Sequence, residues 1–269
     1  MGVQDLRFVI TGSGTGIGEA TAKLAASKGA RVVVSDMNDE NGEAVAQAIR
    51  EDGGDAVYQH CDVTDSDQVK ALMEAAADAF GGIDVLHNNA GIHETGLTDP
   101  ASCNVADMPI DVFKKVIEVN AVAPWVCSKF AVPYLRESDN ASIINAASTG
   151  SQSAYPNNSA YGTSKGGIRL QTQNLAVDLA PLGIRVNCYG PTAIATNMVT
   201  DYIKQSDDPV AFKQSLIATG LVPRLGEPSE VGELVCFLAS PEAGFINGAY
   251  ILIDGGSLAW RGTAGDLGM

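Results

Sequence analysis

The stretch RFVITGSGTGIGEATAKLAAS, residues 7–27, decides the fold of this 269-residue chain. An apolar run leads into a glycine-rich turn, which opens a segment with helical spacing of its apolar residues. Glycines permit positive φ angles and let the main chain approach a phosphate without an intervening Cβ. The N–H groups of the helix start add a partial positive charge at the same point. The stretch predicts a strand, a phosphate-binding turn and a helix, the alternative being a turn that only packs strand against helix.

Outward from this stretch, short apolar runs alternate with longer amphipathic segments. The predicted strands are residues 7–11, 31–36, 56–60, 83–87, 142–146, 184–188 and 250–253. The predicted helices are residues 18–27, 40–51, 67–80, 111–135, 161–179 and 229–238. Continuous apolar strands separated by helices indicate a parallel sheet covered on both faces. We expect one α/β domain over residues 1–269, a Rossmann-like, doubly wound parallel sheet of about seven strands with helices on both faces.

Two segments interrupt this alternation. Residues 93–109 form a polar connection with two prolines, and residues 192–223 form a long helical excursion before the last strand. Both follow the carboxyl ends of predicted strands, where open α/β sheets bind ligands. We therefore expect both segments to be pocket walls and not a second domain.

The composition excludes several classes of partner. The net charge of −15 argues against nucleic acid and anionic membrane, which both require a basic face, and no apolar run is long enough to span a bilayer. The N-terminal residues lack a signal-peptide pattern, which predicts a cytoplasmic protein. The five cysteines and three histidines show no metal-ligand spacing, so no metal is expected. An acidic chain that binds phosphate must neutralise it locally, with backbone dipoles.

Asp36, at the end of the second predicted strand, predicts the cofactor. A carboxylate there accepts hydrogen bonds from the ribose hydroxyls of an adenosine and repels a 2′-phosphate. Thr15, Met37 and Asn38 offer no positive charge that would favour that phosphate. The prediction is NAD in preference to NADP, and the alternative is an aspartate that only caps a helix or a turn.

Tyr161 and Lys165 are four residues apart in a helical pattern and share one face of it. A tyrosine has a pKa near 10, and an adjacent ammonium favours its phenolate form. Ser148 follows an apolar strand 13 residues upstream. The pair alone is a weak signal, because a core tyrosine and a solvated lysine have the same spacing. Together with the serine, it predicts a proton-transfer site.

These residues lead to a known family. The sequence resembles the shorter, single-domain short-chain dehydrogenase/reductases of the Tyr-x-x-x-Lys type over essentially its whole length. The further motifs that carry the likeness are Cys61-Asp62-Val63, Asn88-Asn89-Ala90-Gly91, Val119-Asn120-Ala121, Arg224-Leu225-Gly226-Glu227-Pro228 and Ile253-Asp254-Gly255-Gly256. One departure stands out, because the family's usual Pro-Gly is here Pro191-Thr192. Thr192 is either a substrate contact or a residue tolerated at negative φ.

The resemblance implies a role for each matching residue. Tyr161 exchanges the substrate proton, Ser148 binds the substrate oxygen, and Lys165 binds the nicotinamide ribose and depresses the tyrosine pKa. Asn120 holds a water in a proton relay. The residues implied to bind NAD are Gly12, Ser13, Thr15, Gly16, Ile17, Gly18, Asp36, Asp62, Val63, Asn89, Gly91, Tyr161, Lys165, Pro191, Ile194 and Thr196.

The substrate is predicted from the segments after the strand ends. The candidate contacts, which include no lysine or arginine, are His93, Ser148, Thr149, Gly150, Tyr155, Thr192, Met198 and Tyr202. They favour a neutral alcohol or ketone, alicyclic or aromatic. The expected activity is NAD-dependent interconversion of a secondary alcohol and a ketone, and the resemblance implies a homotetramer. The alternatives are a non-enzymatic dinucleotide sensor and another reaction class on the same fold, such as a sugar-nucleotide epimerase or an enoyl reductase.

Overall fold

The computed structural model describes residues 2–260 and 262–267. Within them, seven parallel strands form one sheet in the order β3-β2-β1-β4-β5-β6-β7. The strands are β1 (Arg7–Thr11), β2 (Arg31–Asp36), β3 (Asp55–His60), β4 (Val85–Asn88), β5 (Ser142–Ala146), β6 (Arg185–Pro191) and β7 (Tyr250–Ile253). The strand order reverses between β1 and β4: strands are added outward from β1 to β3 on one side and from β4 to β7 on the other. The predicted single-domain, Rossmann-like doubly wound architecture is confirmed.

Helices cover both faces of the sheet. They are α1 (Gly16–Ser27), α2 (Asp39–Glu51), α3 (Ser66–Phe80), α4 (Ile110–Ile117), α5 (Ala123–Leu135), α6 (Ser159–Leu179), α7 (Asn197–Lys204), α8 (Pro209–Ala218) and α9 (Pro228–Ala239). Side chains alternate across each strand, so Phe8 and Ile10 pack in the core shared with α1 and α9. Val9 packs in the second core, with α3 and α5. This two-sided burial explains the continuous apolar strands.

The helix expected over residues 111–135 is not continuous. A π-helical turn, Glu118–Val122, separates α4 from α5. Pro124 lies in the first turn of α5 and has no N–H to donate to the carbonyl of Asn120. A wider turn accommodates that missing bond. The prediction of one continuous helix is therefore wrong in the middle of the segment, at the turn that carries Asn120.

The two interrupting segments fold locally. Residues 93–109 contain two short 3-10 turns, Glu94–Gly96 and Pro100–Ser102, and residues 192–223 contain α7 and α8. Most other element ends differ from the prediction by one or two residues. The exception is β6, which continues to Pro191 because Cys188–Pro191 pairs with the whole of β7. None of the helices in the described ranges is long and apolar enough to cross a membrane.

Candidate active site

A cavity of about 460 Å³ lies over the carboxyl ends of the central strands, beside the point between β1 and β4 where the strand order reverses. The predicted cofactor residues among its walls are Gly12, Thr15, Gly16, Ile17, Asp36, Asp62, Val63, Asn89, Gly91, Tyr161, Lys165, Pro191 and Thr196. Three others lie behind these walls. Ser13 is fully buried, Gly18 lies in the first turn of α1, and Ile194 is buried in the core. The fold therefore brings most of the predicted set to one cavity.

The glycine turn is shaped by backbone conformation and by close packing. Gly12 and Gly16 both have a φ of +62°, in the left-handed region. A Cβ on Gly12 would lie 2.7 Å from the Cα of Ala90, and one on Gly18 would collide with the carbonyl oxygen of Gly12. Because α1 begins at Gly16, its first N–H groups face the cavity.

Asn89, the residue after β4, braces this turn. Its Nδ2 donates to the carbonyl oxygens of Thr11 and Gly12 at 3.1 and 2.8 Å. The Thr11 hydroxyl in turn accepts from the N–H groups of Asn89 and Ala90, both at 3.2 Å. The Asn89 amide thus fixes the turn at the rim of the cavity.

Asp36 meets the same turn from β2. Its Oδ2 accepts the Gly14 N–H and its Oδ1 accepts the Asn38 N–H, both at 2.9 Å. The carboxylate therefore points into the cavity wall from a fixed position. Lys115 lines the cavity nearby, 3.4 Å from the Thr64 hydroxyl, and it contributes to lowering the pKa of Asp62 after the Thr64 hydrogen bonds. Sequence reasoning missed this cation, because α4 reaches the adenosine side only in three dimensions.

Tyr161 and Lys165 lie in the first two turns of α6. The Lys165 Nζ is 5.5 Å from the centre of the Tyr161 ring and donates to the Ala146 carbonyl oxygen at 2.7 Å. Burial lowers the pKa of Lys165 to about 8. Burial also raises the pKa of Tyr161 to about 12, against the hydrogen bond of Ser148. The expected depression of the tyrosine pKa by Lys165 is not found in this structure, and Tyr161 is a protonated phenol at neutral pH.

Asn120 holds the loop that follows β4. Its Oδ1 accepts the Ile92 N–H, and its Nδ2 donates to the Ile92 carbonyl, both at 2.8 Å. The same Nδ2 lies 3.1 Å from the Ser164 hydroxyl. A Cβ on Gly91 would lie 3.3 Å from the Asn120 Oδ1 and 3.4 Å from the Lys165 Nζ. The π turn thus places Asn120 beside Lys165.

The substrate candidates divide between several places. Met198 lines the main cavity, and the His93 ring stacks on Tyr161 with centroids 4.9 Å apart. Tyr155 lines a second cavity of about 700 Å³ beside the start of α6, and its hydroxyl donates to Thr149 at 3.1 Å. Ser148 lies at the start of a 3-10 turn, and its hydroxyl accepts the N–H of Gly150 at 3.1 Å.

Thr192 lies at the end of β6, outside the walls of both cavities. It is not among the non-glycine residues with positive φ. A Cβ is therefore tolerated where the family usually has glycine.

The structure adds residues that sequence reasoning missed. Leu97 and Tyr189 line the main cavity, whereas Tyr202, a predicted pocket residue, stacks its ring on His93 at 5.9 Å. Glu94 is fully buried, and its carboxylate accepts the N–H of Tyr161 at 3.2 and 3.3 Å. Its position directly after His93 was the only available signal, since a single acidic residue in a polar segment has no periodicity that predicts burial.

Comparison with known proteins places this site in a family. The family model described as Enoyl-(Acyl carrier protein) reductase matches residues 12–257. The chain is 37% identical to an uncharacterized oxidoreductase, YxbG, of Bacillus subtilis, over 94% of this chain and 90% of that protein. It is 36% identical to the cis-4-hydroxycyclohexanecarboxylate dehydrogenase of Sinomonas cyclohexanicum, over 93% and 96%.

A third relative, the meso-2,3-butanediol dehydrogenase of Serratia marcescens, is 36% identical over 94% of this chain and 95% of that protein. These matches run along nearly the whole chain, through the glycine turn, the Asn89 brace and the Tyr161–Lys165 pair. The protein is therefore an oxidoreductase that belongs to the short-chain dehydrogenase/reductase family.

Proposed function

We propose that the protein is an NAD-dependent dehydrogenase that interconverts a secondary alcohol and a ketone. The observation that carries the proposal is the pair of half-buried Tyr161 and buried Lys165, which opens on the cavity that the glycine turn borders. The Ser148 hydroxyl acts to lower the pKa of Tyr161, so a donor and a proton-transferring group lie side by side. Paired groups of this kind serve general acid–base catalysis on an alcohol or carbonyl oxygen.

The residues present fit a dinucleotide. Gly12, Gly16 and the start of α1 offer unobstructed N–H groups, which suit a pyrophosphate on an acidic protein. Asp36 suits ribose hydroxyls, while Asp62 and Val63 line the wall where an adenine would lie. Thr196 meets the turn from the opposite side, with its Cγ2 3.2 Å from where a Gly16 Cβ would be. Pro191 is the last residue of β6 and Ile194 lies three residues beyond it, and both are proposed to lie at the nicotinamide end.

The bound dinucleotide supplies the hydride acceptor for oxidation and the hydride donor for reduction. In oxidation, Tyr161 takes the proton of the substrate hydroxyl, and Ser148 donates a hydrogen bond to the same oxygen. Lys165 places a positive charge beside the phenolate from which this step starts. Asn120, which holds Ile92 and adjoins Lys165, is proposed to position a water that returns the proton to solvent.

Replacement of the tyrosine hydroxyl tests the reaction. Tyr161→Phe retains the ring that stacks on His93 but removes the proton-transferring oxygen. We expect turnover to fall by roughly 100-fold to 10,000-fold, with the dissociation constant for NADH nearly unchanged. Wild-type turnover in this variant would overturn the proposed function, and so would the absence of any NAD⁺ or NADP⁺ reduction by the wild-type protein.

The preference for NAD is supported by the fixed Asp36 carboxylate. Its two oxygens are held by backbone N–H groups, so it cannot turn away from a 2′-phosphate without losing both bonds. Measurement of kcat/KM with NAD⁺ and NADP⁺ side by side tests this preference. A higher value for NADP⁺ would contradict it and would point to Lys115 as the phosphate partner.

The proposed substrate is a small neutral alcohol or ketone, alicyclic or aromatic. His93, Tyr161 and Tyr202 form a stack of rings beside the reacting hydroxyl, and no lysine or arginine is among the substrate candidates. Thr149, Tyr155 and Met198 are proposed as further contacts, whereas Thr192 lies outside both cavities. Relatives named for a cyclic diol and an acyclic diol agree with this class.

The charge of the substrate is the sharpest point to test. One relative is named for a hydroxycyclohexanecarboxylate, whose anion would need a cationic partner in the pocket. Parallel assays with cyclohexane-1,4-diol and 4-hydroxycyclohexanecarboxylate compare the two. Faster turnover of the carboxylate would contradict the neutral class and leave the reaction itself intact.

We also propose a cytoplasmic homotetramer. The exposed apolar side chains Trp125 on α5, Leu170 and Val177 on α6 and Leu252 on β7 suit subunit contacts. The five cysteines are buried and unpaired, which suits a reducing compartment. Light scattering after size exclusion tests the assembly, and a monomer would contradict it. Cell fractionation tests the location.

A further inference from the structure

Glu94 is a buried carboxylate that the proposed reaction does not use. It is 0% exposed, and among the described residues no lysine or arginine lies within salt-bridge distance of it. Asp84, which is also buried, is bonded instead to Arg7 and Ser138. A carboxylate left without a cationic partner in the interior is costly unless another interaction holds it.

The start of α6 supplies that interaction. Asn158 precedes the helix and makes no side-chain capping hydrogen bond. Glu94 takes over this function from a different segment, because its two oxygens accept the N–H of Tyr161, the third residue of the helix. The partial positive charge of a helix N-terminus favours an anion at this position. One side chain thus caps the helix and holds the backbone of the proton-transferring residue.

The charges around Tyr161 leave Glu94 uncompensated. Lys165, from the same helix, is the cation beside the Tyr161 ring, and Tyr189, from β6, is a neutral phenol, since burial raises its pKa. His93 lies between Tyr161 and Tyr202, with its Nδ1 3.6 Å from the Glu94 carboxylate. Burial lowers the pKa of His93, so the ring is neutral at pH 7 and does not cancel the carboxylate.

The other titratable groups near Glu94 are the Cys103 thiol and the Tyr202 hydroxyl. Burial and then the Glu94 charge raise the pKa of Cys103, and burial, Cys103 and then Glu94 raise the pKa of Tyr202, so both groups are neutral at pH 7. Burial, followed by the Glu94 charge, likewise keeps the pKa of Tyr161 high against the Ser148 hydrogen bond. Glu94 is therefore the negative charge that Tyr161 meets in this environment.

We propose that Glu94 is a positioning residue that anchors Tyr161 at the start of α6 and, through its charge, keeps the tyrosine hydroxyl protonated in the resting enzyme. The inference rests on the proposed function, in which Tyr161 exchanges the substrate proton. A protonated phenol is ready to give its proton to a carbonyl oxygen, whereas alcohol oxidation requires the phenolate. The Glu94 charge therefore favours carbonyl reduction at neutral pH and moves the pH optimum of alcohol oxidation to alkaline pH.

Glu94→Gln separates charge from position, because the amide oxygen still accepts the Tyr161 N–H. Loss of the charge lowers the pKa of Tyr161, so the phenolate forms at lower pH. We expect the pH profile of kcat/KM for oxidation to move down by about one unit, which is about a tenfold gain on its acid side. The alkaline decline of ketone reduction should move in the same direction, and Glu137→Gln, at an exposed site, should leave both profiles in place.

Two further variants test the positioning role. Glu94→Asp keeps the charge but shortens the reach, so we expect the wild-type pH profile with a lower plateau in both directions. Glu94→Ala loses both interactions and should combine the shifted profile with the lower plateau. A shift in Glu94→Asp equal to that of Glu94→Gln would overturn the role of the charge.

Each outcome separates this inference from the proposed function. If Tyr161→Phe is inactive while the Glu94→Gln profile superimposes on that of the wild type, the inference fails and the function stands. An upward shift in Glu94→Gln would have the same meaning. If Tyr161→Phe keeps wild-type turnover, the proposed function itself fails.

Discussion

The two halves of the site are built from different parts of the chain. The dinucleotide half uses backbone, namely the glycine turn, the first N–H groups of α1 and the carbonyls that Asn89 braces. The substrate half uses side chains, mainly the rings of His93, Tyr161, Tyr202 and Phe212. Where two backbone segments are in close contact, there is no room for an added side-chain atom. A stack of rings, by contrast, loses its contacts one at a time. Substitutions should therefore act in an all-or-none manner in the first half and gradually in the second.

The largest expected effect lies in the backbone half. In Gly18→Ala, the new Cβ would collide with the Gly12 carbonyl and lie 2.6 Å from the Asn89 Nδ2, so the turn must shift. We expect NADH affinity to fall by roughly 100-fold or more. The matched control is Gly166→Ala in α6, where a Cβ meets open space and should raise stability by up to about 1 kcal/mol. Equal NADH affinity in the two variants would break the contrast between the halves.

Lys165 lies where the two halves meet. We expect its buried charge, which the reaction needs, to lower the free energy of unfolding. Burial lowers its pKa from 10.5 to about 8, a loss of about 3 kcal/mol for the charged form. Lys165→Met removes this cost but leaves the Ala146 carbonyl without its donor, worth about 1 kcal/mol. At pH 7 we expect turnover to collapse while the free energy of unfolding rises by about 2 kcal/mol, or about 30-fold in the unfolding equilibrium.

The pH dependence of that gain has a definite sign. Below about pH 8 the folded wild type carries the unfavourable charge, so the advantage of Lys165→Met is complete. Between about pH 8 and 10.5 the folded wild type loses its proton while the unfolded chain keeps it, so the wild type becomes relatively more stable. Urea unfolding of both proteins across this range measures the difference. An advantage that grows with pH would contradict the buried charge.

The smallest expected effect lies in the ring stack. Tyr202 links His93 at 5.9 Å to Phe212 at 4.9 Å, so Tyr202→Leu removes two aromatic contacts and loosens α7 and α8 over the pocket. We expect KM for a cyclic ketone to rise by about tenfold, with kcat nearly unchanged. The dissociation constant for NADH is the internal control. A change in NADH affinity as large as that in KM would show that the halves are not separable.

The two halves also differ in how far the sequence predicted them. The glycine turn, Asp36 and the Tyr161–Lys165 spacing are local patterns: the first two lie where a strand ends, and the third lies at the start of a helix. The structure brings them to one cavity, as expected. Lys115 and Leu97 were not predicted, because each reaches the site from a segment with no motif of its own.

The sequence by itself determined the parallel sheet, the phosphate-binding turn and the proton-transferring pair, because short-range periodicity and spacing encode them. Tertiary structure alone decided how the pair is tuned. Burial of Tyr161 and Lys165 raises one pKa and lowers the other, and Glu94 caps α6 from 67 residues away. Desolvation and contacts between distant segments depend on what packs around a side chain. No spacing along the chain can express that information.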